Sequence, residues 1–471
     1  MKKNYIYNLI LSVINILFPI LSFPYISRIL GPYGIGKVQF AITFAQYFAL
    51  IAALGIPYYG VREISKSRGN YNNLSKTFTE LFLIHILSSL AVSILYILVI
   101  FSFKKFSSDI SYYLYSLLII FLGFSSIDWF YQGIEEFKKI ALRSVIIKIL
   151  SLISMFYFIT KKSDVIAYLC ISIFAIIGNS LVNIFMIKGK ITLIKKNLNL
   201  KKHFLPLIFI FGSNLSIAMY NMLDVIFLGL LSNEESVGYY TASVKIARIA
   251  IPIVTSMGVV LLPKITQSFQ QENNNYTNLL LKSYRFTLLI SVPITFGLYL
   301  LAPEMIHLVS GNAFEKAIIP MKILSVLPIL IGFGNLFGIQ VLISAGKEKE
   351  MLKSVALGMI ISLLLNFILI PRLNEIGAAI ANVLTELVVS IIFYYFVKKV
   401  ITFKFPIKPF LYSFASCIPF IPVIYLLRIL TKNDILTLLF STLICGFIFF
   451  LIQIFVFKDE NFKLLTEKIK I

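Results

Sequence analysis

The chain is built from apolar blocks about 20 residues long, the length a helix needs to cross a ~30 Å hydrocarbon core. Fourteen can be marked, at about 8–29, 38–60, 78–101, 112–131, 141–159, 165–187, 205–230, 238–262, 279–301, 318–343, 351–370, 376–397, 409–430 and 435–457. The composition agrees, with 59% hydrophobic and 14% charged residues. A soluble globular chain carries about 45–50% and about 25%. Soluble enzymes, disordered chains, collagens and disulfide scaffolds are excluded. The expectation is an all-α polytopic membrane protein. The start, MKKNYIYNLILSVINILF, imitates a signal peptide, but its apolar run continues through Pro19 and Pro24 to Leu30 with no A-x-A-like site. It reads as an uncleaved first span.

Charge orients the spans. Lys and Arg number 43 against 21 Asp and Glu, a net charge of +22. In a soluble protein this excess would suggest nucleic acid. Here it gathers in alternate loops: Lys2/Lys3, Arg62 to Lys76, Lys138 to Arg143, Lys188 to Lys202, Lys347 to Lys353, Lys398 to Lys408 and Lys458 to Lys470. On the opposite side, Leu231 to Val237 has Glu234 and Glu235 and no basic residue. The positive-inside rule then puts both termini in the cytoplasm, and no nucleic-acid partner is implied. Cys170, Cys417 and Cys445 lie inside apolar blocks without metal-ligand spacing, and His85, His203 and His307 are scattered. Neither a disulfide framework, a metal site nor a cofactor is expected. No loop has room for a nucleotide fold, and no P-loop or dinucleotide fingerprint occurs. No catalytic residues are therefore assigned.

Six blocks precede the basic stretch near 188–204 and six follow it before a last pair. The expected organisation is a lobe at 1–187, a linker at 188–204, a second lobe at 205–400, and a terminal helix pair with tail at 401–471. A faint echo joins the halves: R-I-L-G-P-Y-G-I-G-K-V-Q-F-A (Arg28 to Ala41) and L-G-L-L-S-N-E-E-S-V-G-Y-Y-T-A (Leu228 to Ala242). Each is a helix end, a glycine turn and a new helix. Repeats with an even number of spans are a transporter architecture, with substrate between two lobes.

Charges inside the blocks are costly, about 2.5–3.5 kcal/mol each on insertion scales, so they mark sites or internal pairs. Lys245 and Arg248 share a helical face about 10–15 Å from the outer end. They suit an anion in a cavity, or a salt bridge. Asn214, Asn221 and Asp224 form a polar stripe; Asp224 is a charge-balancing partner or a direct contact. Lys148 shares a face with Ser144 and Ser151. Asn382, Glu386 and Ser390 repeat every four residues, and Glu386 is a candidate coupling carboxylate or a structural hydrogen-bonding group. His85 and the pair Asn179/Asn183 fit interhelical contacts. Trp129, with Tyr112, Tyr113 and Tyr131, fits an interfacial belt. The 318–343 block is interrupted by Pro320, Pro328, Gly332, Gly334 and Gly338, which suits a bent helix.

Several strings, in order, resemble the polysaccharide (O-antigen and capsule type) flippases of the multidrug/oligosaccharidyl-lipid/polysaccharide exporter superfamily. They are the Arg28 string, Y-G-V-R-E-I-S-K-S-R from Tyr59, W-F-Y-Q-G-I-E-E-F-K from Trp129, R-S-x-x-x-K (Arg143 to Lys148), Y-N-M-L-D-V-I-F-L-G from Tyr220, V-G-Y-Y-T-A-S-V-K-I from Val237 and G-K-E-K-E from Gly346. The resemblance spans about the first 400 residues. It implies about 14 transmembrane helices in two six-helix lobes plus a terminal pair, in a bacterial inner membrane. It also implies translocation of undecaprenyl-pyrophosphate-linked oligosaccharide by alternating access. Partners would be that lipid-linked substrate, membrane lipids, and polysaccharide polymerase and chain-length machinery. A pyrophosphate crossing hydrocarbon needs cations; Lys148, Lys245 and Arg248 are the candidates. Arg28 and Arg62, in matched strings at opposite faces, could meet the head group or simply bond at helix ends.

Three other readings compete. A drug or organic-cation antiporter of the same fold would want an acidic cavity, against Lys245 and Arg248. A polymerase would want a long outer loop, and an acyltransferase an intramembrane histidine with a partner. A scaffold would tolerate reversal of the intramembrane charges.

Overall fold

The computed structural model describes residues 2–271, 275–401 and 405–457, with the backbone alone in a few helical stretches that include 213–221. Among the described residues no β-strand forms. Packing divides the chain into two compact units, Met1–Gly238 and Tyr239–Ile471. The first holds α1 (Lys2–Ala53), α2 (Ile56–Ser67), α3 (Tyr71–Ser102), α4 (Ile110–Phe121), α5 (Asp128–Gly133), α6 (Phe137–Phe158), α7 (Val165–Met186) and α8 (Lys201–Leu231). The α9 helix (Glu234–Ile249) begins in the first unit and continues into the second. There follow α10 (Ile251–Gln270), α11 (Asn275–Leu300), α12 (Ala302–Ser310), α13 (Ile318–Leu324), α14 (Leu327–Gly334), α15 (Glu348–Val397), α16 (Lys408–Cys417), α17 (Phe420–Thr431) and α18 (Asp434–Leu451).

Among the described residues ten helical segments are long and apolar enough to cross a membrane, or eleven with the pair Asn312–Leu324 and Leu327–Ile343, bent by 42°. Two are double length. The 52 residues of α1 break at Gly31, whose φ of 68° is open to glycine at little cost, and Pro32 follows. The 50 residues of α15 break at Asn374 (φ 49°), three residues after Pro371. Each break lets one long helix serve as two crossings. The bend expected in the 318–343 block falls between Leu324 and Leu327, just before Pro328.

The faces are inverted relative to a soluble protein. Phe367, Leu443 and Phe447 stand more than 60% exposed, as lipid-facing side chains do. Buried positions are rich in hydroxyls: Ser75, Ser116, Ser151, Ser243 and Ser354 are fully covered. Small residues let backbones approach closely, and several of these hydroxyls donate to carbonyls of their own or a neighbouring helix. Ser243 Oγ reaches the carbonyls of Tyr239 at 2.9 Å and Ala317 at 2.7 Å.

The two echoing turns meet inside the first unit. A β-carbon on Gly36 would collide with the carbonyl of Glu234, and one on Gly238 with that of Pro32. Glycine is required there because two helix starts touch backbone to backbone.

The aromatic belt is corrected. Trp129 (2% exposed), Tyr131 (0%) and Tyr113 (5%) are core residues. The segment after α4 folds back as the short α5, and Trp129 lies against Gly60 and stacks on Phe78 at 5.5 Å. Tyr112 stays half-buried, beside Lys37 at 4.5 Å. His85 is buried, but its Nδ1 has no hydrogen-bond partner among the described residues.

Gly36→Leu should cost about 1–3 kcal/mol by overpacking, read as a lower melting temperature of the detergent-purified protein. An unchanged melting temperature would mean the two turns do not touch.

Candidate functional site

Helical periodicity decides which side chains each unit can gather. In the second unit, α9 carries Lys245 and Arg248 one turn apart, both half-buried. On the adjoining side of the same helix, Ile246 and Ile249 line a cavity of about 640 Å³. Its other walls come from α11 (Pro293, Gly297), α12 (Met305), α17 (Ile424) and α18 (Cys445). The lining is almost wholly apolar, with Ser441 and Thr442 its two hydroxyls, so a polar ligand has little to bond there, while a hydrocarbon chain fits.

One end of this groove is tied by charge. The Arg428 guanidinium on α17 forks onto Glu304 of α12, with Nε at 2.5 Å from Oε1 and Nη2 at 2.9 Å from Oε2. It also donates to the Leu300 carbonyl. His307 of α12 faces Asp434 of α18 at 3.3 Å. Bidentate pairing fixes orientation as well as distance, so the terminal helices are held to α12 while the groove stays open. Neither Glu304 nor Arg428 stood out in the sequence, because charges at block ends are common there.

Glu386 (9% exposed) lies with Asn382 (4%) and Ser390 (7%) on the buried face of α15. Ser390 Oγ donates to the Leu330 carbonyl at 3.2 Å, tying this face to α14.

In the first unit, Asp224 is 2% exposed on α8. Asn214 and Asn221, assigned to the same stripe, lie outside the described side chains. Lys148 is half-buried at the interface of α6 with α1, 5.8 Å from the Phe18 ring centroid. Arg28 is exposed on α1 just before the Gly31 break. The Arg62 side chain is 53% exposed, pairs with Glu63 at 3.0 Å and lies over the Tyr59 ring at 5.0 Å.

Two polar hubs were less legible. Arg143 is buried on α6 and bonds Asp128 at 2.6 Å, Asn179 at 3.4 Å and Asn183. Asn183 in turn donates to Asp128 at 2.7 Å and accepts from the Tyr131 hydroxyl at 2.9 Å through its carbonyl. The interhelical role expected for Asn179 and Asn183 is thus filled, with Arg143 as their donor.

The second hub is Glu80, fully buried on α3. It accepts from the Asn199 backbone at 2.8 Å, Lys202 Nζ at 2.6 Å and His203 Nε2 at 3.0 Å. With Nε2 donating, His203 Nδ1 accepts the Tyr59 hydroxyl at 2.9 Å. Above it Ser75 and Thr79 accept the backbone N–H groups of Thr192 and Ile194, each at 3.2 Å. The basic stretch after α7 is therefore stapled along one face of α3, and Lys190 pairs with Glu136.

Residues 1–269 match the family described as polysaccharide biosynthesis protein. A putative O-antigen transporter of Escherichia coli is 26% identical over 406 residues, covering 85% of this chain and 97% of that protein. The solved lipid II flippase MurJ, in an inward closed conformation, matches with a TM-score of 0.70 at 20% identity, over 94% of this chain and 99% of that one. An inward-facing multidrug resistance transporter of the MATE family, in the MOP superfamily, matches at 0.65 and 15% identity over 82% and 94%. The fold is the one these transporters share.

Burial works to raise the Glu136 carboxyl, but hydrogen bonds from Lys190 and Lys139 outweigh it and hold it below its ordinary value. A lowered carboxylate contributes stability fully above the unfolded pKa of about 4.3 and loses it as pH falls through the folded value. Glu136→Gln should lower the melting temperature at neutral pH and flatten its fall on acidification. Identical acid limbs in the two proteins would remove Glu136 from the pH response.

Proposed function

The chain belongs to the polysaccharide biosynthesis protein family, and from that premise we propose that it is a flippase rather than an enzyme. Its cargo is an undecaprenyl-pyrophosphate-linked oligosaccharide, carried across the bacterial inner membrane by alternating access for O-antigen or capsule synthesis. Both termini face the cytoplasm, where the basic loops lie.

The observation that carries this reading is the pairing on α9 of two cations with an apolar groove. Lys245 and Arg248 sit beside Ile246 and Ile249, which line the 640 Å³ slot. A lipid-linked pyrophosphate has these two parts joined: a long hydrocarbon chain and a dianion. The groove takes the chain at no desolvation cost, since both are apolar. The cations offset the cost of bringing the pyrophosphate out of water, and charge-assisted hydrogen bonds hold it. Lys148, Arg28 and Arg62, with Asn214 and Asn221, serve the head group and glycan along its route. Asp224 balances charge.

A drug or organic-cation antiporter of the same fold is disfavoured by the cationic helix beside the groove. The polymerase reading lacks a long outer loop, and for the acyltransferase reading the buried histidine set, Glu80, His203 and Tyr59, is taken up in stapling the 188–202 stretch to α3. Chain-length and polymerase machinery would act on the product outside this chain.

Arg248→Glu should abolish surface polysaccharide while the protein remains in the membrane, with lipid-linked oligosaccharide accumulating on the cytoplasmic leaflet. An impermeant glycan probe on spheroplasts reads the side. Wild-type export by a stably inserted variant would refute the assignment.

Glu386 is the proposed coupling carboxylate. Glu386→Gln should therefore remove any dependence of export on an ion gradient across the membrane, measured with ionophores. An unchanged dependence would take Glu386 out of the mechanism.

A further inference from the structure

A second cavity, in the first unit, has no part in the route proposed above. It holds about 610 Å³ between the end of α1 (Leu54), α3 (Ile84, Leu87) and the first turn of α8 (Lys201, Phe204). Its one lining hydroxyl, Ser88, donates to the Ala52 carbonyl, so the wall offers a ligand no free hydroxyl. Leu87 and Phe204 are each 58% exposed, which leaves the slot open on the side where lipid-facing residues stand.

The rim is cationic. Lys201 is exposed and makes no ion pair among the described residues. Its neighbour Lys202 is fixed on the buried Glu80 at 2.6 Å. The same carboxylate holds the Asn199 backbone, so Lys201 is carried on a stapled segment and not on a loose loop. That segment, 188–202, contains Lys188, Lys190, Lys195, Lys196, Lys201 and Lys202 and no acidic residue. Leu87 lies seven residues past Glu80 on α3, about 10 Å along the helix. This is the separation between a lipid phosphate and the upper part of its chain.

We propose that this pocket binds one anionic glycerophospholipid of the surrounding bilayer, with an acyl chain between α3 and α8 and its phosphate on Lys201. The chemistry selects this class. A soluble anion has no use for an apolar slot. A zwitterionic lipid brings no net charge to a rim with no acid to balance it, whereas basic pockets between membrane helices favour anionic head groups. The inference is independent of which cargo the protein carries.

The test is native mass spectrometry of the full chain released from nanodiscs of phosphatidylcholine and phosphatidylglycerol in equal amounts. The wild-type protein should retain one phosphatidylglycerol in preference to phosphatidylcholine. Lys201→Glu, a surface change, should reduce that retention by about five-fold or more, the worth of one lysine at an anionic surface. Lys195→Glu, on the same segment but off the pocket, should leave it unchanged. Leu87→Trp, which fills the slot, should also reduce it. Equal retention of the two lipids, or equal loss in the Lys195 and Lys201 variants, would overturn the proposal. Displacement of phosphatidylglycerol by added undecaprenyl pyrophosphate would also overturn it, by making the pocket part of the cargo path.

Discussion

In hydrocarbon there is no water to take up an unmet hydrogen bond, and everything else in this protein depends on that constraint. It explains why the described segments long and apolar enough to cross a membrane are all helices, and why those helices break at marked places. It explains as well why the buried face of each unit is lined by serine and threonine. A hydroxyl that donates to a nearby carbonyl costs little, while the same position filled by a large apolar side chain would hold the helices apart. Many large apolar residues, Phe367, Leu443 and Phe447 among them, are turned outward, while others such as Phe78 and Trp129 still pack inside.

The same constraint governs the charges. A buried ion without partners costs several kcal/mol in order of magnitude, and two buried charges of the first unit, Glu80 and Arg143, are each the hub of a small network. Glu80 has Asn199, Lys202 and His203; Arg143 has Asp128, Asn179 and Asn183. These networks also locate parts. Through Glu80, with Ser75 and Thr79, the basic stretch following α7 becomes a strap on α3. In the second unit Arg428 and Glu304 fasten the terminal helix pair at one end of an apolar groove.

Much of the fold was legible in the chain. Block length predicted the spans, and the prolines and glycines of the tenth block predicted its bend. The glycine turns that echo one another touch, since Gly36 and Gly238 lie where the two backbones approach closely. The candidate site was legible only in part. Lys245, Arg248 and Glu386 announce themselves because charge is rare in apolar blocks. Glu304, Arg428, Glu80 and Lys201 do not, because they stand at block ends where charge is ordinary. Trp129 misled in the opposite direction: an aromatic cluster beside a span suggests the interface, yet α5 folds it into the core.

The sequence by itself determined that this chain is built of membrane-crossing helices, where its long apolar blocks lie, and which of its loops are basic. Those properties follow from summed transfer energies and loop charge, which are local and additive along the chain. Only the tertiary structure decided which polar residues meet, that the basic stretch is a strap, and that an apolar groove runs beside the cations of α9. Those outcomes depend on helix rotation and pairwise contact between segments as much as 120 residues or so apart, as with Glu80 and His203 or Glu304 and Arg428. Periodicity names the face of a helix but not its neighbour.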